Sequence, residues 1–480
     1  MTLHPTALLA DLIPLLGAAH VLTGPDTDRY THDWTGKYTA QPCAVARPAN
    51  TEQVAACLRL ASQHGIPVVP VSGNTGLTGA TYTNGGLMIS LERLNRIHRV
   101  NPAARTAHVD AGVILSALHQ AAAQHGLYFP LWFGAKGSAM IGGALSTNAG
   151  GSNVLRYGST RSLCLGLEVV LADGRILNLM SELHKDNSGY DLKDLFIGAE
   201  GTLGIITAAV VKLVPAPRAH ATASLALTRL TDALTVLNQL QETTGGLVEA
   251  FEFMPASYSQ RLQQVRPDLG QPFATIPPVT ILVELGATAP DLTTALPDGT
   301  VPLTTLLQTT LAQALDQGLI QDAVIAQTEA QRSAMWARRE AAAEITFAVK
   351  PFIDTDIAVP LDRAQDFLTA LDARLPAIDP GASTLVVAHL GDGNLHVTVF
   401  PTPSQAAPDQ IDRITALIED VVQDLSGSFS AEHGVGLSKL PSMARRKSPV
   451  ALDVMRAIKA ALDPQNLMNP GKVIPSGQSE

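Results

Sequence analysis

The sequence predicts an α+β protein of more than one domain, and three observations carry that reading. The chain has 480 residues, too long for one hydrophobic core of ordinary size. Hydrophobic residues make up 46% and charged residues 16%, enough apolar material for sizeable cores and too little charge for disorder. Helical and strand-like periodicities alternate, and tight-turn signals return some strands directly, as an antiparallel sheet requires.

Taken in order, Ala7–Leu16 reads as a short surface helix. Asp11 interrupts its apolar run, and no Lys or Arg precedes it as a signal peptide would require. Asn50 and Gln53 make a capping-box-like start. Val54, Cys57, Leu58 and Ala61 then recur on one helix face, and Gly65 ends the helix. Ile66–Val71 follows as a buried strand, with a glycine-rich loop after it. Further strands are expected at Leu87–Leu91 and Thr106–Asp110, and a helix over Leu115–Gln124 that stops at Gly126. Leu167–Ala172 and Arg175–Leu179 flank Asp173-Gly174, a two-residue hairpin signal. Gly204–Val214 is a strand ended by Pro215 and Pro217, which puts a domain boundary at 217.

From 218 to 426 the pattern is α+β with an antiparallel sheet. Helices are expected at Thr231–Thr243, Thr304–Gln317, Gln327–Glu344, Leu361–Arg374 and Gln410–Leu425. Strands are expected at Thr280–Leu285, Thr384–Ala388 and Leu395–Phe400, and the Pro-rich segment Pro267–Pro278 is a loop. Residues 427–480 form a C-terminal segment with one helix, Leu452–Leu462, ended by Asp463-Pro464.

The net charge of −10 argues against nucleic acid, because an acidic surface gains nothing from counterion release. Cys43, Cys57 and Cys164 are far apart and form no CxxC, which fits a reducing compartment. No apolar run of about 18 residues is present, so no transmembrane segment is expected. A cytoplasmic enzyme, with a homodimer as a common assembly, is the expectation.

Two glycine loops carry the first chemical signal. One spans Pro70, Ser72, Gly73, Asn74, Thr75, Gly76 and Gly79; the other spans Gly137, Ser138, Gly142, Gly143, Thr147, Asn148 and Gly151. Glycine lets a backbone approach a ligand closely, and successive N–H groups can cradle a diphosphate. Plain tight turns explain either loop alone equally well. Neither is a GxxxxGK(S/T) loop, nor a strand–GxGxxG–helix unit, so ATP and NAD are poor fits. Two such loops in one domain point to a long, two-ended cofactor.

These loops, with Asn153–Gly158, Leu165–Gly174, Asp186–Leu192 and Phe196–Thr207, resemble the vanillyl-alcohol-oxidase/p-cresol-methylhydroxylase (PCMH) type of FAD-binding domain. The resemblance runs from about Asp33 to Pro217. It implies two α/β subdomains gripping FAD and a separate cap domain for substrate. It also implies flavin contacts from the two loops and from Glu200, Gly204 and Ile206. Asn74 occupies the place where some members attach flavin through His, so the resemblance implies noncovalent FAD. The tail Leu462–Lys472 also matches, which implies a return to the flavin domain with Asn469 near the isoalloxazine.

The second signal is His389-Leu390-Gly391-Asp392-Gly393-Asn394-Leu395-His396, followed later by Glu432-His433. A strand, a tight turn and a return strand can bring both imidazoles together. Two His and a carboxylate suit Zn²⁺ with open positions left over. On spacing alone, a hydrogen-bonded histidine pair is the commoner outcome. The pattern resembles the D-2-hydroxyglutarate/D-lactate dehydrogenase group. That resemblance implies a divalent metal, usually zinc, on His389, His396 and Glu432, with His433 as catalytic base. It implies Arg339 and Lys350 as partners of the substrate carboxylate. Two positions depart from the D-2-hydroxyglutarate pattern: Ala343 replaces a Thr and Thr398 an Asn. Thr398 shares a strand face with His396 and should line the same site, so smaller or less polar substrate tails are expected.

The expected function is oxidation of a D-2-hydroxy acid by an FAD-dependent dehydrogenase. The electrons would pass to an electron-transfer flavoprotein, a quinone or a cytochrome. A flavin enzyme with another substrate, such as glycolate or an aldonolactone, a flavin-free metal-dependent hydrolase and a non-catalytic flavin subunit are the alternatives.

Overall fold

Asn50 shows how local chemistry sets the frame. Its side chain accepts the amide hydrogen of Gln53 and Gln53 returns a bond to Ala49, starting the helix Thr51–His64. Gly65, at φ 64°, closes it in the left-handed conformation. The computed structural model describes residues 5–403 and 407–476. Contacts divide it into two units. The first comprises Met1–Gly150, Ser159–Pro215 and Glu432–Glu480, and the second Gly151–Gly158 and Ala216–Ala431.

The first unit contains strands β1 (Val21–Leu22), β2 (Ala44–Ala46), β3 (Val68–Val71), β4 (Leu87–Ser90), β5 (Ile97–Asn101) and β6 (Thr106–Asp110). Strands β7 (Leu127–Tyr128), β8 (Cys164–Val170), β9 (Ile176–Leu179), β10 (Ile205–Lys212) and β11 (Val214–Pro215) follow. One sheet has the order β1-β2-β4-β3, with β2, β4 and β3 parallel. The other is antiparallel, β5-β6-β10-β8-β9. The hairpin expected around Asp173-Gly174 is present, and Gly174 takes φ 80°. The N-terminal helix spans Pro5–Leu16 and buries a stripe of Leu8, Leu12 and Leu16, so one face of this helix is core. The C-terminal segment is anchored to β3: Val68 donates to the Leu467 carbonyl and Asn469 to the Val68 carbonyl.

The second unit is built on β12 (Ala219–Leu227), β13 (Val248–Pro255), β14 (Val279–Ala287), β15 (Asp322–Ile325), β16 (Ile353–Ala358), β17 (Ser383–His389) and β18 (Asn394–Phe400). They form one antiparallel sheet, β15-β12-β14-β13-β17-β18-β16. The expected α+β class with an antiparallel sheet is therefore correct. One sheet face is apolar: Leu225, Phe251, Val283, Val386, Val397 and their neighbours pack with residues of the helices Leu230–Thr244, Pro302–Asp316, Ala364–Arg374 and Pro408–Asp424. The opposite face mixes a smaller apolar cluster around Leu282, Val387 and Met335 with Glu284, Glu252, His389, His396 and Asp356. Alternation along each strand separates the two faces.

Four of these seven strands are absent from the sequence expectations: β12, β13, β15 and β16. β12 is alanine-rich, with weak strand propensity, and β13 contains two glutamates that read as solvent-facing. The helix expected over Gln327–Glu344 is two helices, Glu329–Glu340 and Ala342–Phe347, joined at Ala341. A Thr328/Gln331 capping box starts the first. The helix Ala256–Val265 is also additional.

Candidate active site

In the first unit the two glycine loops meet. A Cβ on Gly73 would lie 2.2 Å from the Ser138 carbonyl oxygen, and one on Gly143 3.1 Å from the Ser72 Cβ. Built at Gly76, Gly134 or Gly137, a Cβ meets nothing within 4 Å. The loops thus lock together at one end and leave open space at the other, a cradle suited to an extended ligand. Pro70 abuts Gly201, whose Cβ would fall 2.3 Å from the Pro70 Cγ. Gly79, at φ 69°, lies under the Tyr38 ring.

Asn74, at φ 51°, donates to the His32 carbonyl and accepts from the Thr81 hydroxyl. Its amide therefore orders the loop. The Thr147 hydroxyl donates to the Gly143 carbonyl of its own helix, and Asn148 caps that helix in the left-handed region while accepting the Arg161 amide. Gly204 packs against Val169, and Ile206 is buried in β10. Gly151 groups with the second unit.

Glu200, 5% exposed, accepts the amides of Val435 and Gly436 at 2.6 and 2.7 Å. Burial pushes its carboxyl pKa up, against the pull of those two amides. Thr78 accepts the amides of Leu437 and Ser438 on its carbonyl. The loop that begins with Glu432-His433 is thus clamped from both sides within this unit. Asn469, 1% exposed, donates to the Ala80 and Glu200 carbonyls, and its Oδ1 is buried with no hydrogen-bond partner among the described residues. A buried amide oxygen without a donor is a costly feature, and a ligand donor in the cradle would relieve it.

In the second unit β17 and β18 bring the two histidines together as the turn predicts. The ring centroids of His389 and His396 are 5.3 Å apart, with the planes at 82°. Each faces a buried carboxylate. His389 Nδ1 is 2.9 Å from Glu252 Oε1, and His396 Nδ1 is 3.8 Å from Asp356 Oδ1. Burial raises the Glu252 pKa, but the charges and hydrogen bonds of His389 and Arg339 outweigh it and hold the carboxyl below its ordinary value. In the turn, burial pushes the Asp392 carboxyl up to about 6.

Arg339 is buried and donates its Nε to Glu252 at 2.8 Å. Its Nη2 has no hydrogen-bond partner among the described residues. Lys350 is exposed, on the turn before β16. Thr398 lies on the His396 face of β18, 3% exposed, and donates its hydroxyl to Asp354 at 2.9 Å. Ala431 donates its amide to Asp356, on both the carbonyl and the side chain, and Glu432 is the next residue in the chain.

Glu252 and Asp356 are the groups that sequence reasoning missed. Their signal was a single acidic residue inside an otherwise apolar or alternating run, visible in Phe251-Glu252-Phe253 and in Asp356-Ile357. In another cluster, His220, Glu249 and Glu284, both carboxylates already serve protein donors. Glu249 is paired with Arg156 and Tyr157, and Glu284 with Arg332, Thr222 and Trp336.

Comparison with known proteins decides the family. Residues 42–180 match the FAD binding domain family, and residues 216–473 match the family described as FAD linked oxidases, C-terminal domain. The chain belongs to the FAD-linked oxidases. A D-2-hydroxyglutarate dehydrogenase of Xanthomonas citri pv. viticola is 37% identical over 453 residues, covering 93% of this chain and 92% of that protein. Another of that name, from Stutzerimonas stutzeri, is 34% identical and covers 97% of this chain and 98% of that protein. The structure of p-cresol methylhydroxylase with substrate bound is similar in fold, with a TM-score of 0.73 at 15% identity, covering 98% of this chain and 97% of that one. This FAD-linked oxidase has the FAD-binding domain that its glycine loops imply. No helix among its described residues is long and apolar enough to cross a membrane.

Proposed function

We propose that this FAD-linked oxidase is a dehydrogenase that oxidises a D-2-hydroxy acid to the 2-oxo acid, with noncovalent FAD and a divalent cation, zinc by donor chemistry, on His389, His396 and Glu432. The observation that carries this reading is the pairing of both His389 and Arg339 with the buried Glu252, with the His396 ring 5.3 Å from that of His389. It places two imidazoles beside a guanidinium whose Nη2 has no hydrogen-bond partner among the described residues. The D-2-hydroxyglutarate dehydrogenase names of relatives at 34–37% identity support the substrate class.

Bound FAD supplies a two-electron acceptor and a bound cation supplies Lewis acidity. The chain supplies the rest. Arg339 holds the substrate carboxylate through its outer guanidinium nitrogens, with Lys350 as the second cation. His433 takes the hydroxyl proton, as an imidazole titrates near working pH. The glycine loops grip the cofactor's diphosphate, and the open positions at Gly76 and Gly137 leave it room. Thr398 offers no free donor, since its hydroxyl is spent on Asp354, and Ala343 has none to offer. A small or weakly polar substrate tail fits these two residues better than a second carboxylate.

Anaerobic mixing of purified protein with D- and L-2-hydroxy acids tests the reading. The D series should bleach the flavin absorbance, short-tailed acids most strongly. Chelation should stop turnover with FAD retained. His433→Ala should lower the rate by roughly two to four orders of magnitude. A flavin that stays oxidised with every D-2-hydroxy acid sinks the proposal.

A further inference from the structure

We propose that Glu252 is a positioning residue shared by both binding functions of this site: one buried carboxylate braces His389 for the cation and Arg339 for the substrate anion. The inference rests on the reading above and deepens it.

Glu252 lies on β13 at 1% exposure, directly across the sheet from His389. Its two oxygens receive His389 Nδ1 and Arg339 Nε, each within 2.9 Å. An ionised carboxylate can only accept. His389 therefore presents an Nδ1 proton to Glu252, and Nε2 is the atom through which the neutral ring would meet a metal. The same carboxylate consumes only the Nε–H of Arg339, so the guanidinium is held flat while its Nη2 remains buried without a partner among the described residues. Glu252 thus fixes two side chains at once and leaves Nη2 of Arg339 unspent among the described residues.

Glu284 provides the contrast on the same sheet face. The helix Glu329–Glu340 presents Arg332 and Arg339 seven residues apart, about two helical turns. Arg332 gives Glu284 both Nε and Nη2, and Thr222 and Trp336 add their own donors. That pair is saturated and fastens the helix. The Glu252 pair takes only Nε of Arg339 and leaves its Nη2 unpartnered among the described residues. Unequal saturation of two acid–arginine pairs on one sheet face separates a structural fastening from a braced binding group.

The test uses full-length, flavin-loaded Glu252→Gln and Glu284→Gln. Zn²⁺ affinity is read by competition with a chelator, and oxalate affinity by perturbation of the flavin spectrum. Gln at 252 can satisfy His389 or Arg339 but turns an N–H toward the other. The expected result is a loss of Zn²⁺ affinity of roughly 10–100-fold and at least about tenfold weaker oxalate binding, with flavin content unchanged. Glu284→Gln should lower thermal stability and leave both affinities within about twofold. If Glu252→Gln does not fold, Glu252→Asp keeps the charge, withdraws it by one methylene and carries the same expectation in sign. The inference is overturned if Zn²⁺ and oxalate bind the Glu252 variant as they bind wild type, or if the Glu284 variant weakens both as much. Wild-type protein that takes up no Zn²⁺ overturns the metal reading itself together with the His389 half of this inference; the oxalate arm then decides the Arg339 half.

Discussion

A Cβ added to Gly73 would lie 2.2 Å from the carbonyl oxygen of Ser138. Both partners are backbone, so neither can swing aside. Gly73→Ala should push the loops apart and empty the cradle. The expected outcome is protein purified with a much lower ratio of flavin to protein absorbance, and partial recovery with excess FAD. Normal flavin content in this variant would show that the loops do not close on the cofactor.

Glu200→Ala removes the acceptor of two amides, Val435 and Gly436. Leaving buried N–H groups unpaired costs about 1–3 kcal/mol each. Urea denaturation should show a loss of about 2–6 kcal/mol for the two together. Because the clamped loop carries His433 two residues earlier, kcat should fall more than KM rises.

Lys472 sets a pH expectation. It is 6% exposed, and burial lowers its pKa from 10.5 to about 8, partly opposed by Glu200. The folded value lies below the unfolded one, so the unfolded chain binds the extra proton between those two pH values. Stability contributed by this residue therefore rises from pH 8 to 10.5, and its cost is complete below that window. Lys472→Met should be more stable than wild type near pH 7, and the difference should shrink steadily as pH climbs. A difference independent of pH would place the lysine in an ordinary solvated environment.

Arg339→Lys keeps the charge but loses the planar fork. A lysine that stays paired with Glu252 cannot also hold an anion through a second fixed donor. KM for a 2-hydroxy acid should rise by about tenfold or more, equivalent to ~1.4 kcal/mol, with a smaller change in kcat. Arg332→Lys should leave KM alone.

Much of this was legible from residue order. The helix between Asn50 and Gly65, the hairpin at Asp173-Gly174 and the return strand carrying His396 all announce themselves through caps, turn residues and period-two alternation. The His389 and His396 pairing followed from the same turn. What did not show was the set of buried acids. Glu252 and Asp356 are buried acids on strands, the second on the edge strand β16, and pattern reading sends such residues to the surface because isolated charges are rarely buried. Their burial is paid for by partners far along the chain, Arg339 and His389 for one, Asn394 and Ala431 for the other. β12 was missed for the opposite reason: Ala-His-Ala-Thr-Ala-Ser looks indifferent until Glu284 and Arg332 supply the polar side.

His396 and Thr398 belong to β18, a strand bonded along its length to β16 and β17. A segment flanked by two ladders cannot lengthen, shorten or slide without breaking its neighbours, since a slip of one residue would turn every side chain over. Diversification of this pocket is therefore confined to exchanging side chains at fixed points on a rigid grid. New preferences among related chains should arise as point replacements at positions such as 398, with insertions accumulating elsewhere.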